Sequence, residues 1–280
     1  VGGHEAPGFE RVSRRATARG ARRLGLVVAL VGVTAPAGAS TRLVVAGAAG
    51  VSAQTHDQTL LVGLDAAHTV GEDQATLGAG IEARRRTFAS GADEMDALLN
   101  AQAGATLVTE GGAPVSVGLG GSVGPGAAIA PRAQLWLECA GRVVAPLTVG
   151  GRVWFQHFRD TDVLVLAPGV SFHAAPWTFT ISDYVALHDR GAVTHSALAR
   201  VERPVGAAWT LEAGAGLGTG ADYVGSPRVD IGRHALGLLG ARLQWTDAAS
   251  VRSLYTLRRE QVGGVAFERH ELAVMWMTTL

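Results

Sequence analysis

The chain has 280 residues, 48% of them apolar and 17% charged, with a mean hydropathy of +0.21, which is apolar for a soluble protein. Its 24 basic residues, all Arg, balance 24 acidic ones, so there is no general basic field for nucleic acid. Cys139 is alone, which excludes an intramolecular disulfide, while the 38 Gly suit closely spaced strands better than a soluble α/β core.

Residues 11–23, RVSRRATARGARR, hold six Arg and no acid, and LGLVVALVGV at 24–33 is an apolar run of ten. TAPAGAS follows, with Ala37 and Ala39 in the small-x-small pattern of a cleavage site. This order predicts a secretory signal peptide over 1–39, cut after Ala39. The apolar run is too short to span a bilayer stably. A twin-arginine reading of SRRATAR lacks the apolar pair expected after the arginines. Residues 40–280 then carry 18 basic and 22 acidic residues.

Beyond residue 40 no apolar run is long enough for a transmembrane helix, and helical periodicity is almost missing. GADEMDALLNAQAG (91–104) reads either as a short amphipathic helix or, with Leu99, Ala101, Ala103, Ala105 and Leu107 on one parity, as a strand. The remaining segments are about ten residues long and are separated by Gly, Pro, Asp or Ser clusters. Fourteen are predicted, at about 41–51, 59–69, 75–86, 98–109, 114–123, 133–144, 147–158, 163–173, 177–187, 194–203, 209–218, 235–246, 251–260 and 269–280. Segment 177–187, WTFTISDYVAL, shows the pattern well: Trp177, Phe179, Ile181, Val185 and Leu187 oppose Thr178, Thr180, Ser182 and Tyr184. Leu254 breaks the alternation of its segment, and 163–173 is ambiguous throughout.

Connections after even-numbered segments are short (VGED, EGGA, VAP, AAP, PVGAA, TDAA). Longer ones follow the third (TFASGADEMDA), the eleventh (TGADYVGSPRVDIGRH) and the thirteenth (QVGGVAFE). Short turns at one end and longer loops at the other predict an all-β, closed antiparallel transmembrane barrel of about fourteen strands, twelve being the alternative count. A barrel leaves no backbone group unpaired in lipid, and ten residues suit a tilted strand crossing. The Trp177 face is then expected to meet lipid. The other face, with Glu82, Arg84, Glu138, Arg142, Arg152, Arg200, Glu202, Glu212, Arg242, Arg252 and Arg258, is expected to line the lumen. Those charges read either as a selectivity-setting lining or as Arg–Glu pairs that fix the barrel. Trp177, Trp209, Trp245 and Trp276 fall on the lipid parity at the ends of their segments and form an expected periplasmic girdle. The last segment, HELAVMWMTTL, has the form of a terminal strand read by the barrel-assembly machinery, with Leu280 where an aromatic is usual.

No cofactor or metal site is expected: the His residues lack ligand spacing, and no His is followed by Ser two positions on. Asp160, Asp162 and His188 fall in two connections on the predicted outer side. They define an alternative reading as an outer-membrane hydrolase, against a turn-forming role for the Asp residues. A third reading is a barrel that anchors an envelope assembly.

The stretch VGGRVWFQHFRDTDVLVLAPGVSFHAAPWTFTISDYVAL, followed by ALARVERPVGAAWTLEAGAGLGTGADY, resembles the YaiO-like outer-membrane β-barrel proteins. Gly151, Arg152, Arg200, Arg203, Gly214, Gly216 and Gly218 hold the matching positions. The resemblance implies an outer-membrane barrel and brings no catalytic residues.

Overall fold

The computed structural model describes residues 40–52, 57–70, 75–88, 90–108, 113–128, 130–189, 191–222, 230–262 and 265–280; the expected signal peptide over 1–39 lies outside them. Fourteen strands run in chain order. They are β1 (Ser40–Ser52), β2 (Gln58–Val70), β3 (Ala75–Thr87), β4 (Asp93–Val108), β5 (Pro114–Val123), β6 (Ala133–Val144) and β7 (Leu147–His157). The second half comprises β8 (Asp162–Ala174), β9 (Trp177–His188), β10 (Val193–Val205), β11 (Trp209–Asp222), β12 (Asp230–Thr246), β13 (Ala249–Val262) and β14 (Val265–Thr279). Each pairs antiparallel with its neighbours in sequence. The sheet closes where β1 meets β14, from Arg42↔Thr279 to Ser52↔Arg269. The segment that could also be read as a helix, 91–104, is part of strand β4.

Register fixes the faces, because directly opposed residues point the same way and each one-residue step reverses the direction. Trp177 pairs with Ala174, Phe179 with Phe172 and Val201, and Val201 with Ala213. Following such pairs around the barrel returns to the starting parity at the β1–β14 seam, where Val45 opposes Trp276. The outward face is strongly apolar and open to its surroundings: Leu77 is 65%, Leu217 69% and Leu239 63% exposed. Among the described residues only small clusters are buried, such as Leu98 with Ala127 and Ala130. On β3 the outward residues are Ala75, Leu77, Ala79, Ile81 and Ala83, and then Arg85. On β12 they run from Trp245 back to Ala235 before Arg233. These are runs of the length a tilted strand needs to cross hydrocarbon, about 9–11 residues.

Several strands extend further than expected at the loop end. β4 begins at Asp93, β12 at Asp230 and β14 at Val265, while β11 reaches Asp222. Two of the three long loops therefore shrink, to residues 88–92 after β3 and 263–264 after β13. The physical reason lies in the pairs Arg84↔Asp96, Arg86↔Glu94 and Arg259↔Glu268. The ladder continues there with polar residues on both faces, so the hydrophobic alternation that marks a strand in sequence disappears. The third long connection, at residues 223–229 between β11 and β12, lies outside the described residues.

The ambiguous segment is β8. Its inward residues Val163, Val165 and Ala167 are as apolar as its outward ones. Leu254 faces inward too, opposite Gly240, beside an apolar patch in which Leu198, Leu236 and Leu238 lie over Gly214 and Gly216. Inward glycines recur in this way on β3, β5 and β11. They leave room for the side chain of the next strand to lie flat along the wall, as a strand glycine does where another group approaches closely.

Candidate functional site

The inward wall begins with charge. Glu82, Arg84, Glu138, Arg142, Arg152, Arg200, Glu202, Glu212, Arg242, Arg252 and Arg258 all share the parity of Thr178. Most of these charges are paired. Arg84 pairs with Glu82, Arg200 with Glu202 at 3.1 Å, and Arg258 with Glu260 at 3.3 Å, each two residues apart on one strand face. Arg152 on β7 donates from Nε to Glu138 Oε2 on β6 at 2.6 Å. Arg252 on β13 reaches across β12 to grip Glu212 on β11 with both Nε (2.7 Å) and Nη2 (2.5 Å). Gly240 makes that reach possible, since a Cβ there would stand 2.5 Å from Glu212 Oε1. The Glu212 side chain is only 5% exposed, so the bidentate pair supplies the countercharge it needs. By contrast, Arg42, Arg142 and Arg242 are exposed inward-parity residues near the tight-turn end.

Aromatic side chains join the wall where sequence reasoning did not look for them. Trp136 and Trp154 are direct register partners on the inward face of β6 and β7. The Arg152 guanidinium lies 5.2 Å from the Trp136 ring centre and 5.1 Å from that of Trp154. Trp154 also stacks with Tyr184 of β9, centroids 6.4 Å apart and planes 23° from parallel. Parity with Glu138 and Arg152 was the signal that would have found both indoles. The other four Trp are outward. Trp177 and Trp209 begin β9 and β11, while Trp245 and Trp276 lie near the ends of β12 and β14, all at the tight-turn end. Arg203 sits over Trp177, its Cζ 4.8 Å from the ring centre.

The described residues of the β5–β6 connection, 124–128 and 130–132, fold against the inward side of β4. Asp96 and Leu98 both point inward. The Asp96 carboxylate accepts the N–H groups of Ala128 (2.8 Å) and Ala130 (2.6 Å). Leu98, Ala127 and Ala130 form a buried apolar contact beneath it. Near the loop end the outward face becomes polar, with His195 Nε2 2.6 Å from Asp183 Oδ1, and lower on the outward face Tyr255 Oη lies 2.6 Å from His270 Nδ1.

The residues of the hydrolase alternative do not converge. Asp162 points outward, its Oδ1 2.7 Å from His157 Nδ1, and Asp160 is exposed in the preceding turn. His188 is buried on the opposite, inward face, with Nε2 3.4 Å from Thr194 Oγ1. The strand pleat that separates the two faces keeps them apart.

The architecture is that of the bacterial outer-membrane β-barrels. Three solved structures share it. An outer-membrane channel from Pseudomonas putida F1 has 13% identity and a TM-score of 0.52, covering 88% of this chain and 97% of its own. A mutant of the TodX monoaromatic hydrocarbon channel has 11% identity and a TM-score of 0.52, covering 88% and 91%. A bacterial polysaccharide outer-membrane secretin has 12% identity and a TM-score of 0.51, covering 86% and 98%. No protein-family model and no curated sequence matches the chain.

Proposed function

We propose that this protein is a non-enzymatic channel of the bacterial outer membrane that passes a solute or polymer through its lumen. The observation that carries the reading is the inverted wall. Leu, Val, Ile and Trp are exposed outward around a closed barrel, while ion pairs, amides and hydroxyls face inward. Water would not tolerate the first face, and hydrocarbon would not tolerate the second. The solved barrels described as channels support the same use of the fold. The paired charges serve mainly to fix the wall, and the exposed arginines at the tight-turn end contact the passing solute. The four outward Trp form a girdle at the periplasmic interface, anchored by the indole's apolar body and polar N–H. Residues 1–39 act as a cleaved export signal, and β14 is the strand read by the assembly machinery. Kinship with the YaiO-like proteins rests on residues 147–223.

Conductance of purified protein in a planar lipid bilayer tests the reading. Discrete current steps that change size on joint substitution of Arg152 and Arg242 are expected. Membranes that stay silent despite correctly folded protein would leave the anchoring role instead.

A further inference from the structure

We infer that the inward wall from β4 to β9 is a track for a linear neutral oligosaccharide, a substrate class that rests on the channel reading above. Trp136 lies flat over Gly118 and Gly120. A Cβ on Gly120 would stand 2.5 Å from its Cζ2, so the ring hugs the wall, half-buried and shared on its other side with the Arg152 guanidinium. Trp154 is its direct register partner, and Tyr184 continues the aromatic surface over β8, where the inward residues Val165, opposite Trp154, and Ala167, opposite Arg152, are small enough to lie beneath it. From β6 to β9 these rings span three inter-strand spacings, about 14 Å. That length suits several consecutive sugar rings rather than one.

The chemistry around the rings selects the ligand. A pyranose has a flat C–H face that stacks on an aromatic ring and a rim of hydroxyls that must be hydrogen-bonded. Beside Trp136 lies a cavity of about 390 Å³, lined by the neutral Asn100, Gln102, Ser122 and Gln134 and by two acids, Asp65 and Glu82, and two bases, Arg42 and Arg84. That is within the range of small-molecule sites, about 300–1,000 Å³. Its amides and hydroxyl both donate and accept, as sugar hydroxyls do. A purely aromatic solute would leave these polar groups unsatisfied on burial, which is costly. An anion would find the guanidinium between the indoles already neutralised by Glu138, and the cavity's Arg42 and Arg84 matched in number by the carboxylates of Asp65 and Glu82. A neutral polyhydroxylated ring satisfies both surfaces.

The test uses the purified full-length barrel and maltohexaose as probe. Calorimetric titration in detergent measures binding, and planar-bilayer recording measures conductance and its interruption by sugar. Saturable binding and concentration-dependent closures are expected in the wild type, with benzoate producing neither. Trp136→Leu/Trp154→Leu keeps both positions apolar but removes the flat faces. It should weaken binding at least tenfold while ion conductance persists, and Tyr184→Leu provides a second, milder variant should the double one not fold. Binding without conductance would uphold the track and sink the channel reading. Conductance without sugar binding, or binding unchanged in the variants, would overturn the track and leave the channel. Benzoate binding in place of the sugar would overturn it as well.

Discussion

Placing one guanidinium on either side of the same wall level tests the assignment of faces. Ala213, Leu239 and Tyr255 are successive register partners on β11, β12 and β13, all outward. Ala213→Arg therefore puts a charge on the apolar belt, among side chains such as the 63%-exposed Leu239. The cost for Arg near a bilayer midplane is about 2–4 kcal/mol. At tenfold per 1.4 kcal/mol, this is a roughly 30- to 700-fold loss in the folding equilibrium. The control is Thr256→Arg, one residue beyond Tyr255 and inward, where Thr256 opposes Glu271 and the new charge meets a carboxylate and water. Gly214, next to Ala213, is unsuitable, because a Cβ there would lie 2.7 Å from the Ala199 carbonyl oxygen and 3.0 Å from Leu238 Cγ. Urea-dependent folding into phospholipid vesicles, read by the gel shift between heated and unheated samples, gives both free energies. Equal losses, or a larger loss for Thr256→Arg, would refute the parity on which the lumen rests.

Arg252→Ala alone should destabilise the barrel by about 3–5 kcal/mol, because it strands the buried Glu212 carboxylate, and the double Glu212→Ala/Arg252→Ala substitution should cost less; urea midpoints compare them. Asp96→Ala removes the acceptor of two backbone N–H groups, at about 3 kcal/mol for the pair, and should expose residues 124–132 to limited proteolysis without unfolding the strands. Joint Arg142→Glu and Arg242→Glu substitution should move the reversal potential in a salt gradient toward cation preference, since these exposed charges are carried at the tight-turn end of the wall. In single-tryptophan variants, Trp177, Trp209, Trp245 and Trp276 should be quenched best by lipids brominated near the headgroup. Trp136 and Trp154 should escape lipid quenching, and opposite leaflets for any two of the first four would break the girdle.

Strand count and faces were legible because lipid and lumen demand opposite chemistry on alternate residues. Segments such as WTFTISDYVAL carry that demand in full. β8 and Leu254 were not legible. An inward residue covered by its neighbours is shielded from lumen water as well as lipid, fully at the buried Val163 and in part at the half-buried Val165 and Leu254, so apolar side chains are tolerated there. The outer ends of β4, β12 and β14 were missed for the converse reason: above the apolar belt both faces are wet, and only the hydrogen-bond ladder distinguishes strand from loop. The inward fold of residues 124–132 had a readable trace in GPGAAIAPR, a connection with too many Ala and Ile for a loop meant for water. Its anchor on Asp96 is a contact between segments about thirty residues apart, and no local pattern announces it. The two inward indoles were visible by parity but hidden behind the charges on either side of them.

The glycines of the inward face also mark where the barrel's lumen can be re-engineered. At most of them a methyl group would strike a flattened neighbour, so an added side chain would disturb the wall rather than decorate it. Gly63 and Gly104 differ: a Cβ at Gly63 would come no closer than 3.8 Å to the Ile81 carbonyl oxygen, and one at Gly104 no closer than 3.4 Å to that of Val117. Both belong to the inward parity, opposite Glu82 and Gly118 respectively. New side chains at these two sites would project into the passage while the outer surface stayed as it is. The width and charge of the lumen could therefore be rewritten one residue at a time, with no change to the number of strands.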